Sequence, residues 1–365
     1  MLKNSMLSFF YWNPKKEIFT IPYLNIPIVW YSLLFLIGFV IGYYIVISIF
    51  RRYFYLFENF TKKDILSFDI LKEGLKNPKT ESQKRVYEFF FEKTKNENFL
   101  DSNDKVLELL NLYIDGKIKN RLFLENIFSK AILSTKSKLI KIVDTGIVYV
   151  VIATIIGARL GHLIFYESPS YYLKNPINII KIWQGGLASH GAGVAIMIAL
   201  FLFCYYLKKF SPKLKFVHLL DFVVVPTALV GFFIRMGNFF NQEILGVETN
   251  LPWAVIFGSP MENVTIVPRH PVQLYEALFY LGVFGVLFFL SYRKYFLIKE
   301  GKLLGLFLIL VFGFRFFIEF LKVRQSAILD DNTFLLMGQY LSIPFIALGI
   351  FFLFWDKIRS FFLKN

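Results

Sequence analysis

Long uncharged apolar runs alternate along this chain with stretches that gather most of its charge. Ile18–Phe50, Gly185–Leu207 and Asn332–Trp355 contain no Asp, Glu, Lys or Arg. Each covers the roughly 20 residues that a helix needs to cross a bilayer. The runs are too long for strands of a membrane barrel and lack that fold's alternation. The pattern predicts seven spans, at about Ile28–Phe50, Ile142–Tyr166, a third from Gly185-Gly186 to Leu207, Val217–Arg235, Pro271–Arg293, Leu303–Leu321 and Phe334–Trp355. The expected fold is an all-α polytopic membrane protein. Pro22 and Pro27 argue against a continuous helix before the first span.

Residues 51–141 break this pattern. They are lysine-rich and charged throughout, with apolar residues at helical spacing such as Val106, Leu109, Leu110 and Tyr113. A small, loosely packed helical insertion is expected there, between spans one and two. Its surplus of Lys and Arg could rest on anionic lipid headgroups. The organisation is then 1–50 (lead-in and first span), 51–141 (insertion) and 142–365 (six-helix core with an outer segment at 237–270).

Composition agrees: 56% of the chain is hydrophobic and only 18% charged, less charge than a soluble domain carries. The net charge of +15 could signal nucleic acid in a soluble protein, but here its distribution explains it. Of the 41 Lys and Arg, 30 fall in 51–141, 208–215, 293–302 and 356–365. These segments all lie on one side of the predicted spans, as the positive-inside rule requires. The N-terminus is then expected outside and the C-terminus in the cytoplasm, and no nucleic-acid partner is expected. Cys204 is the only cysteine, which excludes an intrachain disulfide and reads as a small core residue.

The most polar departure inside a greasy segment runs from Gly231 to Gly246, where Arg235, Asn238, Asn241 and Glu243 fall within nine positions. An ionisable group at membrane depth costs several kcal/mol unless paired or hydrated, so it marks a functional site by default. The predicted topology puts His190, Arg269, His270, Glu276, Arg315, Glu319 and Tyr31 on the same, outer side. Arg235 and Asn238 stand at i and i+3, and Arg315 and Glu319 at i and i+4, so each pair shares a helix face. Two arginines facing one cavity suit a phosphate, because a guanidinium is permanently charged and donates bidentately. The structural alternative is internal pairing, Arg235 with Glu243 and Arg315 with Glu319. Arg159, in Gly157-Ala158-Arg159-Leu160-Gly161, could snorkel to the interface. His190 has the side chain suited to proton transfer near neutral pH; its alternative is a buried neutral histidine bonded between helices. His162, His190, His218 and His270 show no metal-ligand spacing, and there is no Gly-x-Ser-x-Gly elbow. No metal or cofactor is expected, and an enzyme here would take its nucleophile from the substrate.

At these residues the chain resembles the bacterial prolipoprotein diacylglyceryl transferase family. Arg235-Met236-Gly237-Asn238-Phe239-Phe240-Asn241-Gln242-Glu243-Ile244-Leu245-Gly246 is similar to its Gly-Arg-x-x-Asn-Phe-x-Asn-x-Glu-x-x-Gly pattern, with Ile234 in place of the leading glycine. Trp183–Gly191, Arg269–Glu276, Phe314–Phe320 and Met337–Pro344 agree in order, and Trp30-Tyr31 also fits. The likeness covers everything but 51–141, which many members lack. Lys322-Val323-Arg324-Gln325 replaces a common Arg-x-Pro-Asp.

The resemblance implies a specific reaction. The diacylglyceryl group of phosphatidylglycerol moves to the lipobox cysteine thiol of a prolipoprotein signal peptide, forming a thioether and releasing glycerol 1-phosphate. It implies the bacterial inner membrane, and the bilayer and these two substrates as partners. Arg235 and Arg315 would hold the lipid phosphate, His190 would help deprotonate the thiol, and Glu243 and Glu319 would orient the arginines. Asn238 and Tyr31 would bond the headgroup or thiol, while Asn241, Gly246, Arg159 and His270 would complete the substrate-binding set. A transporter or flippase is the competing class; the one-sided polar distribution and the lack of repeat symmetry stand against it. A non-catalytic membrane scaffold is the third.

Overall fold

The computed structural model describes residues 9–23, 26–96, 98–115, 117–167, 176–181, 186, 188–324 and 335–362. In chain order the elements are β1 (Phe10–Trp12), β2 (Glu17–Ile21), β3 (Ile26–Val29), α1 (Trp30–Phe57), α2 (Phe68–Lys76), α3 (Glu81–Thr94), α4 (Asn103–Ile114), α5 (Ile118–Ile127), α6 (Thr135–Phe165), α7 (Ser189–Leu207), α8 (Phe216–Asn241), β4 (Val255–Phe257), β5 (Pro268–Arg269), α9 (Val272–Ser291), α10 (Lys294–Ile298), α11 (Lys302–Ile318) and α12 (Met337–Phe362). Short 3₁₀ turns punctuate them, one at Glu319–Leu321 directly after α11. Among the described residues seven helices are long and apolar enough to cross a membrane, so the chain is a polytopic helical membrane protein. Trp183, Gln184, Gly185, Leu187, Gln325 and Phe334, and the side chain of Ser189, lie outside the described residues.

Several helices outrun the charge-free stretches. α1 continues past Arg51-Arg52 to Phe57, α6 begins at Thr135, and α8 runs beyond Arg235 to Asn241. The lead-in is strand: β2 pairs antiparallel with β3, and β1 pairs parallel with β4, which pairs antiparallel with β5.

The chain divides into two compact units, Ile47–Leu219 and the combination of Met1–Val46 with Leu220–Asn365. In the first, α2 to α5 bury a core that includes Leu71, Leu75, Val86, Phe90, Val106 and Leu110. Ser67, Thr80 and Ser102 cap α2, α3 and α4 by accepting from the backbone N–H three residues on. The charged insertion is therefore a packed domain, not a loose one. Its foot is ionic: the Arg121 guanidinium donates to the Glu58 carbonyl and to Thr135 and pairs with Glu125, while Lys138 meets Asp64 at 2.6 Å. All six groups are buried.

Burial also pushes the Glu58 carboxyl above the usual carboxylate range, against the hydrogen bond from Ser211 and the nearby Lys213, Lys138 and Arg121. A carboxyl whose folded pKa lies above its unfolded value gives stability below the unfolded pKa, and that stability is lost as pH rises through the folded pKa. Glu58→Gln keeps a polar partner for Ser211 and removes that loss. The variant is expected to melt above the parent at pH 8 and to show less pH dependence between pH 4 and 8. A Tm below the parent at pH 8 would mean that the charged form of Glu58 is what holds the domain.

In the same unit, α6 and α7 approach through small residues. A Cβ on Gly191 would stand 2.1 Å from the Gly157 carbonyl oxygen, and one on Gly161 would stand 2.7 Å from the Gly191 Cα. The second unit holds α8, α9, α11 and α12. Here the Asp221 carboxylate, wholly buried, accepts from the N–H groups of Gly301 and Leu304 at 2.7 Å and caps α11.

Candidate functional site

α8 carries the opening half of the site, and its length follows from paired polar groups. Arg235 Nη1 donates to Asn238 Oδ1 at 3.1 Å, one turn on. Asn238 Nδ2 donates to Glu243 Oε1 at 2.7 Å, and Asn241 Nδ2 reaches the same oxygen at 3.3 Å. Side chains satisfy one another, so the helix continues to Asn241 instead of stopping at the arginine. Beyond it, Gln242 and Ile244 take positive φ (55° and 58°). That region is a genuine outlier for a β-branched residue. The strain is held by the Glu262 carboxylate, which accepts from the Ile244 N–H at 2.6 Å, and by Gln242, which bridges Asn13 and the Ser259 N–H.

The ion pairs foreseen from spacing are not the ones formed. Arg235 reaches Glu243 only through Asn238. Its direct partner is Glu276 on α9, with Nε 3.0 Å from Oε2. The N–H does not lie along that line, so the contact is electrostatic, and among the described residues Oε2 accepts no hydrogen bond. Glu276 is a wholly buried hub: its Oε1 accepts from Lys322 Nζ at 3.0 Å and from the Tyr280 hydroxyl at 3.4 Å. Tyr280 in turn lies in the field of the Arg235 and Arg315 guanidiniums. Arg315, half-buried on α11, has an Nε that makes no hydrogen bond among the described residues. Glu319 does not pair with it. The chain tightens into the 3₁₀ turn there, and the carboxylate turns to Lys322 (3.4 Å) and lies against Gly338 at the start of α12.

Sequence reasoning grouped Glu276 with these residues without giving it a role, named Lys322 only as a departure from Arg-x-Pro-Asp, and missed Tyr280. Two signals could have given them roles: the acidic residue in Arg269–Glu276, and a tyrosine one turn further along the same helix.

The remaining candidates sort by what they touch. Tyr31, on the first turn of α1, packs against α8, where a Cβ at Gly237 would meet its ring at 2.6 Å. Beside it Trp30 stacks on Phe240 and Trp12 on Phe239. Gly246 is boxed in by backbone: its carbonyl accepts from Arg269 Nη1 at 3.2 Å, it bridges to Lys322, and a Cβ would stand 2.3 Å from the His270 carbonyl oxygen. Arg269 also donates to Thr265, so it braces this loop. His270 contacts the Tyr275 hydroxyl at 3.3 Å, and burial lowers its pKa, which favours the neutral ring.

In the other unit, Arg159 is buried and donates to the carbonyls of Asn178, Ile179 and Gly186, so it anchors the chain that leads to α7. His190 sits in the first turn of α7 with its ring exposed, not buried between helices. No group of three or more His, Cys, Asp or Glu able to hold a metal occurs among the described residues.

Comparison with known proteins places this arrangement. A family model described as prolipoprotein diacylglyceryl transferase matches residues 118–355. A relative named phosphatidylglycerol–prolipoprotein diacylglyceryl transferase, from Protochlamydia amoebophila, is 39% identical over 98% of this chain and 97% of its own length. At that coverage the match takes in residues 51–141 as well. Relatives of the same name from Tolumonas auensis (46% identical over 57% of this chain and 76% of theirs) and Chlamydia pneumoniae (42% over 59% and 75%) match shorter stretches. With a family model over more than half of its length and a relative aligned nearly end to end, the chain belongs to the prolipoprotein diacylglyceryl transferase family.

Proposed function

We propose that this chain transfers the diacylglyceryl group of phosphatidylglycerol to the lipobox cysteine of prolipoproteins, with glycerol 1-phosphate as leaving group. The observation that carries the reading is Arg235. It is a permanent cation on a membrane-spanning helix, aimed by Asn238 on one side and Glu276 on the other. Preorganised cations of this kind stabilise negative charge as it develops on a departing phosphate. Arg315 is the second phosphate ligand; its Nε makes no hydrogen bond among the described residues. Glu276 orients Arg235, and Glu243 acts on it through Asn238. His190 takes the thiol proton, helping a group of free pKa about 8.5 to attack as thiolate. Tyr31, Asn238, Asn241, Gly246, Arg159 and His270 shape the surroundings.

On this reading the protein lies in the bacterial inner membrane with its N-terminus outside and its C-terminus in the cytoplasm. Residues 1–50 form the lead-in and first span, 51–141 a cytoplasmic insertion, and 142–365 the catalytic core. The deciding assay incubates purified protein with phosphatidylglycerol and a lipobox peptide and reads peptide mass gain and glycerol 1-phosphate. No product where a control enzyme works would end the proposal. His190→Gln is expected to lower kcat about 100-fold, the usual reach of a positioned base, and to flatten the acid limb of the pH–rate profile. Near-normal turnover would remove the histidine from the mechanism.

A further inference from the structure

Next to the Arg235 network lies a cleft of ≈ 510 Å³. Its polar lining is Arg269, Lys322, Arg324 and Glu248, and Phe320 and Leu336 supply apolar wall. Three cations thus face one carboxylate, and that carboxylate is already drawn to Arg269 at 3.5 Å. The wall is rigid. Val247 N–H donates to the Leu321 carbonyl and Val323 N–H to the Leu245 carbonyl, both at 2.9 Å, and His270 N–H donates to the Val247 carbonyl at 3.0 Å. Three separate stretches of chain are laddered together before any ligand arrives. Lys322 belongs to both places: its ammonium contacts Glu276 and Glu319, the carboxylates around Arg235 and α12, and its side chain lines the cleft.

We infer that this cleft binds a small phosphomonoester, and, resting on the transfer reaction proposed above, that its ligand is the glycerol phosphate on its way out. The chemistry supplies the preference. The donor lipid is a phosphodiester with one negative charge. Transfer forms a C–S bond, breaks the glycerol C–O bond, and leaves both electrons of that bond on the phosphate oxygen; the thiol proton goes to the base. The product is a monoester with a second pKa near 6, so it carries about −1.5 to −2 at neutral pH. Each turnover therefore makes the phosphate more anionic than the group that entered. A neighbouring cleft whose lining carries three cations against one carboxylate draws the more anionic product away from Arg235 and Arg315 and leaves them ready for the next lipid. The lining selects for charge, not for acyl chains, so the monoester is favoured over the lipid headgroup.

The test uses the full chain in phosphatidylcholine nanodiscs, without peptide, and reads heat on titration of glycerol 1-phosphate. Saturable binding is expected, at least tenfold tighter than for the diester glycerophosphoglycerol. Arg324→Gln, at an exposed position, is expected to weaken the monoester about tenfold. No saturable binding, equal affinity for the diester, or an unchanged Kd in Arg324→Gln would each overturn the inference. So would loss of monoester binding when phosphatidylglycerol is added to the nanodiscs, because the lipid headgroup would then be the occupant. The titration needs no turnover. Monoester binding in a chain without transferase activity would sink the proposed reaction and leave the cleft a phosphomonoester site. Full activity without binding would do the reverse.

Discussion

Arg235→Met is expected to lower kcat/KM for phosphatidylglycerol about 1000-fold and to reduce thermal stability in the same protein. The two losses have different causes. Removing one preorganised donor from a developing oxyanion costs about 100- to 1000-fold, and Arg235 also sets the hydrogen bond that orders Asn238 and, through it, Glu243. The stability loss comes from Glu276, which is wholly buried and, among the described residues, keeps Lys322 as its remaining cation. Breaking a buried pair costs about 3–5 kcal/mol when the partner is left alone; the remaining lysine puts this case at the low end. The double variant Arg235→Met/Glu276→Met removes the stranded carboxylate. It is expected to regain melting temperature relative to Arg235→Met and to stay inactive. Recovered activity in the double variant would show that Arg235 is a structural ion and not a phosphate ligand. More than a tenth of parental activity in the single variant would have the same consequence.

Gly246→Val is expected to cost at least 100-fold in activity, and Gly246→Ala to fall between the two. The collision is with backbone, the His270 carbonyl at 2.3 Å, and not with a side chain that can rotate aside. A shift there moves the partners of Gly246 together, because Arg269 donates to its carbonyl and Lys322 bridges to it. The loss should therefore appear in both kcat and KM and should come with altered reactivity of Lys322 toward amine reagents. Gly285→Ala on α9, where a Cβ meets nothing within 4 Å, is the matched control and should behave as parent. If Gly246→Val keeps parental rates, the 245–249 segment is not part of the site's frame.

The spans were readable because a bilayer demands length and the absence of charge, and runs such as Gly185–Leu207 supply both. Their ends were less readable. α8 passes through Arg235 because Asn238 and Glu243 satisfy what the helix would otherwise leave bare, and α1 and α6 lengthen where the insertion supplies buried partners such as Arg121 and Asp64. The strands escaped notice: β1 and β4 are three residues each, too short for alternation to show.

The candidate site was legible as a set and illegible as a wiring. Arg235, Asn238 and Glu243 could be joined from spacing alone, because they are neighbours on one helix end. Glu276 could not, since its second cation, Lys322, lies 46 positions away, and local spacing carries no information about such a partner. Arg315 fails for a different reason: the spacing to Glu319 assumes a continuing α-helix, but the chain tightens into a 3₁₀ turn at Glu319, and the carboxylate finds Lys322, three positions on, and the start of α12.

The parallel pairing of β1 with β4 fixes a schedule for how this molecule is made. Phe10 meets its partner only once Val255 exists, 245 positions later. At a synthesis rate of about 5–20 residues per second, that is a wait of roughly 12–50 s. Four candidate spans lie between the two strands, an even number, so both strands emerge on the same face of the bilayer, as hydrogen-bonded partners must. The first strand to be synthesised is thus among the last to be placed. Until it docks, Trp12 cannot close on the Phe239 carbonyl, and the nascent chain carries the polar end of α8 uncovered.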